Sequence, residues 1–387
     1  MNTNFRIPLL TLAGCVGAQL APWVAASSLG DSAVGAGTVL GNAQSSSARA
    51  SRPLDPEWLV PKHTPTGQLL KFPFAVPQLG ELAKSASGWE YSGQLELGVI
   101  GGDADRRNAD FEMYQDVGNG AYVNNFDLKL RKPDGGYSVN LTGGGAGRHD
   151  QYYGLEFGRS NDWKARVFFS ETPRVYTTAY RSLWSGVGTG LLTLVPGLTP
   201  GGTASIATDK AAVPPAADKD PHITLGLTRK LSGARLDLNL SNTWKGYISY
   251  SGEKRVGARP LTAVWGGGGG TAPVEIVEPI DYVTQEVLAG LTHTDAVSTF
   301  GVRLSASLFR NNIDTLVFQQ PLRISPAAGT TTVPAVGAFT QGRFDLNPDN
   351  QAYNARAEYA RSLPDLFKGN FSAVVAVGTL RQDDNLI

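Results

Sequence analysis

The stretch from residue 89 to residue 99 alternates between two kinds of side chain, and this alternation limits the possible folds more than any other feature. Its odd positions carry Trp89, Tyr91, Leu95, Leu97 and Val99, whereas its even positions are almost all polar or charged. Successive side chains of a strand point to opposite faces, so the segment forms one apolar and one polar surface. Its length is about that of a tilted strand crossing a bilayer, which takes about 9–11 residues.

The same pattern recurs ten more times downstream, with turns or long loops between the repeats. No run of about 18 apolar residues follows the first segments of the chain, so transmembrane helices are not expected. The repeats therefore predict an all-β protein, a transmembrane antiparallel β-barrel with about eleven strands visible here. They cover residues 122–131, 137–142, 153–157, 163–169, 235–240, 244–250, 286–292, 300–308, 353–359 and 371–378.

The lengths of the connections predict which rim of the barrel faces outward. Bacterial barrels have short periplasmic turns and long extracellular loops. Placing residues 223–228 within a loop that begins near Glu171 leaves every long connection on one side. The six strands that start at the short-turn side then all begin with an aromatic residue in the apolar register, which predicts a membrane-girdle row. These residues are Trp89, Tyr137, Trp163, Trp244, Phe300 and Phe371.

An odd number of strands predicts that this barrel is incomplete. Single-chain bacterial barrels have even strand numbers, and an open edge in lipid leaves backbone groups unpaired. We therefore expect residues 88–387 to be part of a larger barrel that does not close alone.

The polar register predicts the lining of the barrel. Its charges are of mixed sign, which suits hydrogen bonding to a protein surface better than selection of one ion. The alternative, that these side chains only hydrate the wall, stays open. The candidate lumen-facing contacts are Glu90, Gln94, Glu96, Asp127, Lys129, Arg131, Glu156, Lys164, Arg166, Arg235, Asp237, Arg303, Arg356 and Glu358.

The first 87 residues divide into a leader and an irregular segment. Residues 1–26 resemble a secretory signal, with an Arg, an apolar run and then small residues. Two processing sites compete: the small residues 24–26 suit ordinary signal cleavage, and residues 12–15 resemble a lipobox that would place a lipid on Cys15. Residues 27–87 are rich in Ser, Ala, Gly and Pro, and we expect an irregular periplasmic or lumen-inserted segment.

The chain offers little basis for chemistry. Its formal net charge is +0 and its single cysteine is Cys15, so neither nucleic-acid binding nor thiol chemistry is expected. No Cys-x-x-Cys-His motif is present, the four histidines lack the spacing of metal ligands, and no catalytic arrangement can be defended. We expect no enzyme activity, no metal site and no cofactor in this chain.

Several ordered motifs resemble the MtrB/PioB family of outer-membrane barrels. They lie at residues 168–174, 191–196, 278–284, 347–350 and 381–384, so the resemblance spans most of the chain after residue 88. It implies a Gram-negative outer-membrane barrel that sheathes a multihaem c-type cytochrome, with the haem carried by that partner. Electrons would then cross the membrane to reduce extracellular metals or to oxidise iron. The alternative is a general porin or solute channel.

Overall fold

The computed structural model describes a large part of the predicted barrel. The described residues are 6–7, 83–101, 109, 113–114, 116, 118–202, 211–213, 215–216, 222–265, 272–321, 340–365 and 368–382. Cys15, the leader apart from Arg6–Ile7, and the predicted irregular segment up to residue 82 lie outside them. No helix within these ranges is long and apolar enough to cross a membrane.

Eleven long strands dominate the described residues, and each coincides with one of the eleven predicted from the sequence. A 3-10 turn, Pro133–Gly135, joins the second strand to the third. The strands are β1 Glu90–Ile100, β2 Gly120–Lys132, β3 Tyr137–Ala146, β4 Tyr152–Arg159, β5 Trp163–Tyr180, β6 Ile223–Asn239, β7 Trp244–Trp265, β8 Ala272–Thr294, β9 Ser298–Asn311, β10 Asn350–Leu363 and β11 Gly369–Gln382.

Each long strand pairs antiparallel with the next one along the chain, so the sheet is an up-and-down meander. Two-residue strands extend its edges: Ala83–Lys84 pairs with β1, and Arg6–Ile7 pairs with β11. Within the described residues, β1 and β11 lie at opposite ends of the order and do not pair with each other. The prediction of a partial, open antiparallel barrel is therefore confirmed.

Four strands, β5 to β8, extend much further than the sequence pattern predicts, with β7 reaching Trp265 and β8 beginning at Ala272. Residues 223–228 belong to β6 rather than to a loop, and β5 continues from Glu171 to Tyr180. The longest strand, β8, has 23 residues, whereas a tilted strand needs only about 9–11 to cross a bilayer. The extensions lie at the end with the long connections, so this side of the sheet continues well beyond the membrane.

Apolar and polar side chains no longer alternate in these extensions, because protein covers both faces of the strands there. Ile276 and Val277 are consecutive on β8 and point to opposite sides, yet both are fully buried. Val277 packs with Leu225 and Ala258, and Ile276 packs into a separate apolar cluster.

That cluster belongs to a small second sheet, which we call the cap sheet. Its four strands are Trp184–Ser185, Leu191–Leu194, Thr315–Gln319 and Gln341–Asp345, drawn from the two connections β5–β6 and β9–β10. The core of the cap sheet contains Trp184, Leu192, Leu316, Phe318 and Leu346, packed against Ile276 and Leu261 of the long strands. The two connections thus fold back onto β7 and β8.

Candidate functional site

The register of the long strands separates an apolar face from a polar face. Val167 of β5, for example, lies opposite Leu155 of β4 and Ala234 of β6. Large apolar side chains on this face are exposed to the surroundings, up to 79% at Val99, as expected of a surface that lipid covers. They include Tyr91, Leu95, Leu97, Leu128, Tyr137, Ile248, Tyr250, Val287, Leu291, Leu304, Tyr353, Phe371, Val375 and Val377.

The six predicted girdle aromatics all lie at the rim that carries the short turns. Trp89 directly precedes β1, and the other five begin their strands or follow within two residues of the start. Trp163 packs edge-on against Phe157 with ring centroids 5.7 Å apart, and Trp244 lies 4.7 Å from the His293 ring. Their contact with the membrane interface stays a prediction.

All fourteen predicted lumen-facing residues lie on the opposite face, which we call the polar wall. Cross-strand pairs share a face, and the register joins Glu156 to Arg166, Arg166 to Arg235, and Arg303 to Arg356. At the edge strand β1, Glu90 and Gln94 lie opposite Arg131 and Asp127. Glu96 lies opposite Asn125 on the same face.

An ion-pair network spans β4, β5 and β6 on the polar wall, near the short-turn rim. Glu156 lies 2.7 Å from Lys164 Nζ and 3.4 Å from Arg166 Nε. Arg166 lies 3.6 Å from Asp237, which in turn lies 2.8 Å from Arg235. Opposite charges therefore alternate over three strands, and the three cations and two carboxylates largely offset one another, which leaves only a weak local field of one sign.

Further pairs continue this arrangement along the wall. Asp127 pairs with Lys129 at 3.3 Å on β2, and Arg356 pairs with Glu358 at 3.3 Å on β10. The Arg235 guanidinium also lies 4.3 Å from the centre of the Tyr247 ring, a cation–π geometry. Tyr247 lies against Gly290, where an added Cβ would meet the ring.

Sequence reasoning missed the charged residues at the far end of the polar wall. Arg229 Nε donates to Glu253 at 2.6 Å, and Arg255 also pairs with Glu253. These residues lie in the strand extensions, outside the strand ranges that the sequence predicts. The sequence contained an indication of this extension. The polar register of β7 continues at the odd positions Glu253, Arg255 and Arg259.

Two of the family-like motifs, residues 278–284 and 347–350, contact each other at the exterior end of the polar wall. The buried Glu278 carboxylate accepts a bidentate pair of bonds from Arg259 and a bond from the Tyr282 hydroxyl at 3.2 Å. Asn347 then donates its side-chain amide to the Tyr282 oxygen at 2.8 Å. In the same motif, Asp349 accepts the Asn311 backbone N–H at 2.7 Å. Residues 278–282 and 347–349 thus fasten the β9–β10 connection to β8 and to the end of β9.

A third family-like motif, residues 168–174, contributes a buried carboxylate on the apolar, outward face of the sheet. Glu171 is 3% exposed and accepts bonds from Gln151 Nε2 at 2.8 Å and His149 Nδ1 at 3.2 Å. Lys230 Nζ lies 3.5 Å from the same carboxylate. This arrangement ties the β3–β4 connection to the outer parts of β5 and β6.

Each histidine among the described residues contacts another side chain of the protein. His149 bonds Glu171, His222 accepts from Arg181 Nε at 2.8 Å, and His293 packs on Trp244. Within the part of the chain that the structure describes, no group of three His, Cys, Asp or Glu side chains could hold a metal ion. His63 lies outside that part.

Comparison with known proteins supplies relatives for this architecture. Residues 102–387 match the model of a family described as "Putative outer membrane beta-barrel porin, MtrB/PioB". Over 232 residues the chain is 24% identical to "Outer membrane protein MtrB" of Shewanella baltica, a match covering 59% of this chain and 30% of that protein. The chain thus corresponds to about a third of the relative's length.

Solved structures give weaker matches. The ferric-catecholate import receptor Fiu from E. coli is 11% identical, with 76% of this chain and 43% of the receptor covered at a TM-score of 0.31. OmpT of Vibrio cholerae is 7% identical, with 76% of each chain covered at a TM-score of 0.26.

Proposed function

Because the chain belongs to the MtrB/PioB family of outer-membrane β-barrel porins, we propose that its polar wall encloses a multihaem c-type cytochrome. The barrel would hold this partner across the outer membrane, so that electrons pass between the periplasm and extracellular metal or iron. In this proposal the haem is carried by the partner. The family is one of outer-membrane barrels and not a class of enzymes, so no catalytic residues are proposed.

The observation that carries this proposal is the length of the polar wall. On β7 its side chains run from the short-turn rim to Glu253 and Arg255, beyond which the cap sheet covers the same face. At about 3.3 Å per residue, this stretch is about the strand length that a bilayer requires. The wall therefore lines the whole membrane crossing, as a sheath around a protein partner requires.

The chemistry of the wall supports the same proposal. The charges that it carries on β4, β5 and β6 are already paired with one another, as in the Glu156–Lys164 and Asp237–Arg235 pairs. Paired charges with remaining hydrogen-bonding capacity are typical of polar protein contacts. The lipid around the barrel would insulate the haem chain from other redox partners.

The experiment is recovery of the partner from native outer membranes. Affinity purification of the full chain should bring down a haem-staining protein, and charge reversal at Lys129 and Arg131 on the polar wall should reduce its recovery. Lys132→Glu is the matched control, because Lys132 is adjacent on β2 but belongs to the outward register. Repeated purifications without haem, or equal loss in the control, would contradict the proposal.

A second candidate is a solute channel, favoured by the porin description of the matched family. In that case the lumen stays filled with water and the mixed charges hydrate the wall. Liposomes containing the isolated chain would then swell in small sugars with no haem protein present.

A further inference from the structure

A row of cationic side chains crosses four neighbouring strands on the outward face, and we call it the exterior row. Lys230 of β6 lies directly opposite Lys254 of β7. Lys254 lies opposite Val283 of β8, which in turn lies opposite Arg310 of β9. Since cross-strand partners share a face, Lys230, Lys254 and Arg310 project from the same side as the apolar band.

The exterior row lies just beyond that band. On β9, Arg310 is the next outward position after Leu308, and on β7, Lys254 follows the outward-facing Tyr250 by four residues. The row is at the end of the strands that carries the long connections, which is the extracellular end of a bacterial barrel. Its side chains therefore reach the level of the lipid headgroups in the outer leaflet.

Acidic side chains accompany the cations of the exterior row. Like charges directly opposite one another, such as Lys230 and Lys254, destabilise a sheet unless something neutralises them. Each cation has a carboxylate nearby: Glu171 for Lys230, Asp281 for Lys254, and Asp349 for Arg310.

In every one of these pairs the cation is the more exposed partner. The side-chain exposures are 53% against 3%, 38% against 30%, and 75% against 47%. The three pairs carry no net charge together, but their ammonium and guanidinium groups are the ends that a phosphate at the membrane surface would meet first.

We propose that the exterior row binds the phosphate groups of the anionic glycolipid of the outer leaflet. Long basic side chains at an interface keep their stems on apolar surface and place their charged ends among the headgroups. Four strands spaced about 4.8 Å apart give the row a span of about 14 Å, which allows contact with more than one phosphate. The site is independent of the cytochrome proposed above, because it lies on the opposite face of the sheet.

The test measures lipid retained by the full chain after extraction from outer membranes with mild detergent. Lipopolysaccharide is the probe, quantified by native mass spectrometry and by lipid phosphate. We expect the wild type to retain it and K230Q/K254Q/R310Q to lose most of it, since each cation near an anionic surface strengthens binding about fivefold. The charge-keeping variant K230R/K254R/R310K should retain it.

The matched control is K132Q/R361Q, which removes two cations from the same face at the opposite, short-turn rim. Equal retention by wild type and the triple variant, or equal loss in the control, would overturn the proposal. Retention of phosphatidylglycerol in place of lipopolysaccharide, or displacement by inorganic phosphate alone, would also overturn it. If the triple variant does not assemble, the same comparison is made with Arg310→Gln, whose side chain is largely exposed.

Discussion

Glu278 and Arg259 form a bidentate ion pair across β7 and β8, with Nε and Nη2 of Arg259 donating at 2.7 and 2.9 Å. The pair is part of the polar wall beyond the membrane, and Tyr282 and Asn347 link it to the β9–β10 connection. It therefore joins the barrel strands to the structure that covers their exterior end.

Replacing Glu278 by Gln should destabilise this end of the protein. The substitution leaves the Arg259 charge half-buried without its partner, and breaking a buried pair in this way costs about 3 kcal/mol. Urea unfolding in detergent should show a lower midpoint for Glu278→Gln. Glu275→Gln, at an exposed position three residues earlier on β8, should unfold like the wild type; equal effects of the two variants would count against the role of the pair.

The cap sheet should depend on its apolar core and not on its exposed face. Leu192 is fully buried in this core, whereas its neighbour Leu191 is 50% exposed. Truncating a buried Leu to Ala costs about 2–5 kcal/mol, so Leu192→Ala should speed hydrogen exchange in residues 184–194 and 315–319. Leu191→Ala should leave exchange nearly unchanged, and the opposite order would show that the core is elsewhere.

Gly257 should tolerate no side chain. Its φ is +145°, and a Cβ there would lie 2.1 Å from the backbone oxygen of Gly226. We expect Gly257→Ala to lower the free energy of unfolding by about 1–3 kcal/mol through backbone strain and displacement of β6.

Gly246→Ala on the same strand is the control for this prediction. The nearest atom to its added Cβ would be 3.5 Å away, an ordinary contact. A wild-type midpoint for Gly257→Ala would refute the close approach of the two strands.

The turn between β8 and β9 should lose stability in acid. The Asp295 carboxylate accepts the backbone N–H groups of Val297 at 2.9 Å and Ser298 at 2.7 Å, and the Ser298 hydroxyl also donates to it. These bonds lower the pKa of Asp295 below its usual range. A lowered folded-state pKa means that the stabilisation is present above the unfolded pKa, about 3.9, and disappears as the pH falls through the folded pKa.

Wild type should therefore exceed Asp295→Ala in stability at neutral pH, with the difference shrinking below about pH 4. Urea midpoints measured from pH 7 down to pH 3 test this. A difference that grows towards acid would contradict the assigned hydrogen bonds.

The alternating segments placed all eleven long strands and both faces correctly. Val167, Ile248 and Leu304 lie on the predicted apolar face, and Glu156, Arg166 and Asp237 lie together on the predicted polar face. The predicted ends of β5 to β8 were wrong, because these strands continue beyond the membrane, where protein buries side chains such as Leu225 and Thr178. The cap sheet could not be foreseen, because Trp184 bonds Gln319 from 135 residues away and no local pattern encodes that distance.

Within the membrane the sequence by itself determined which residue faces which side. Lipid on one face and polar surroundings on the other impose a period of two on every strand, and that period is readable without coordinates. Beyond the membrane, only the tertiary structure decided the outcome. There protein packs on both faces of β7 and β8, so Ile276 and Val277 are both buried, and their partners come from distant parts of the chain.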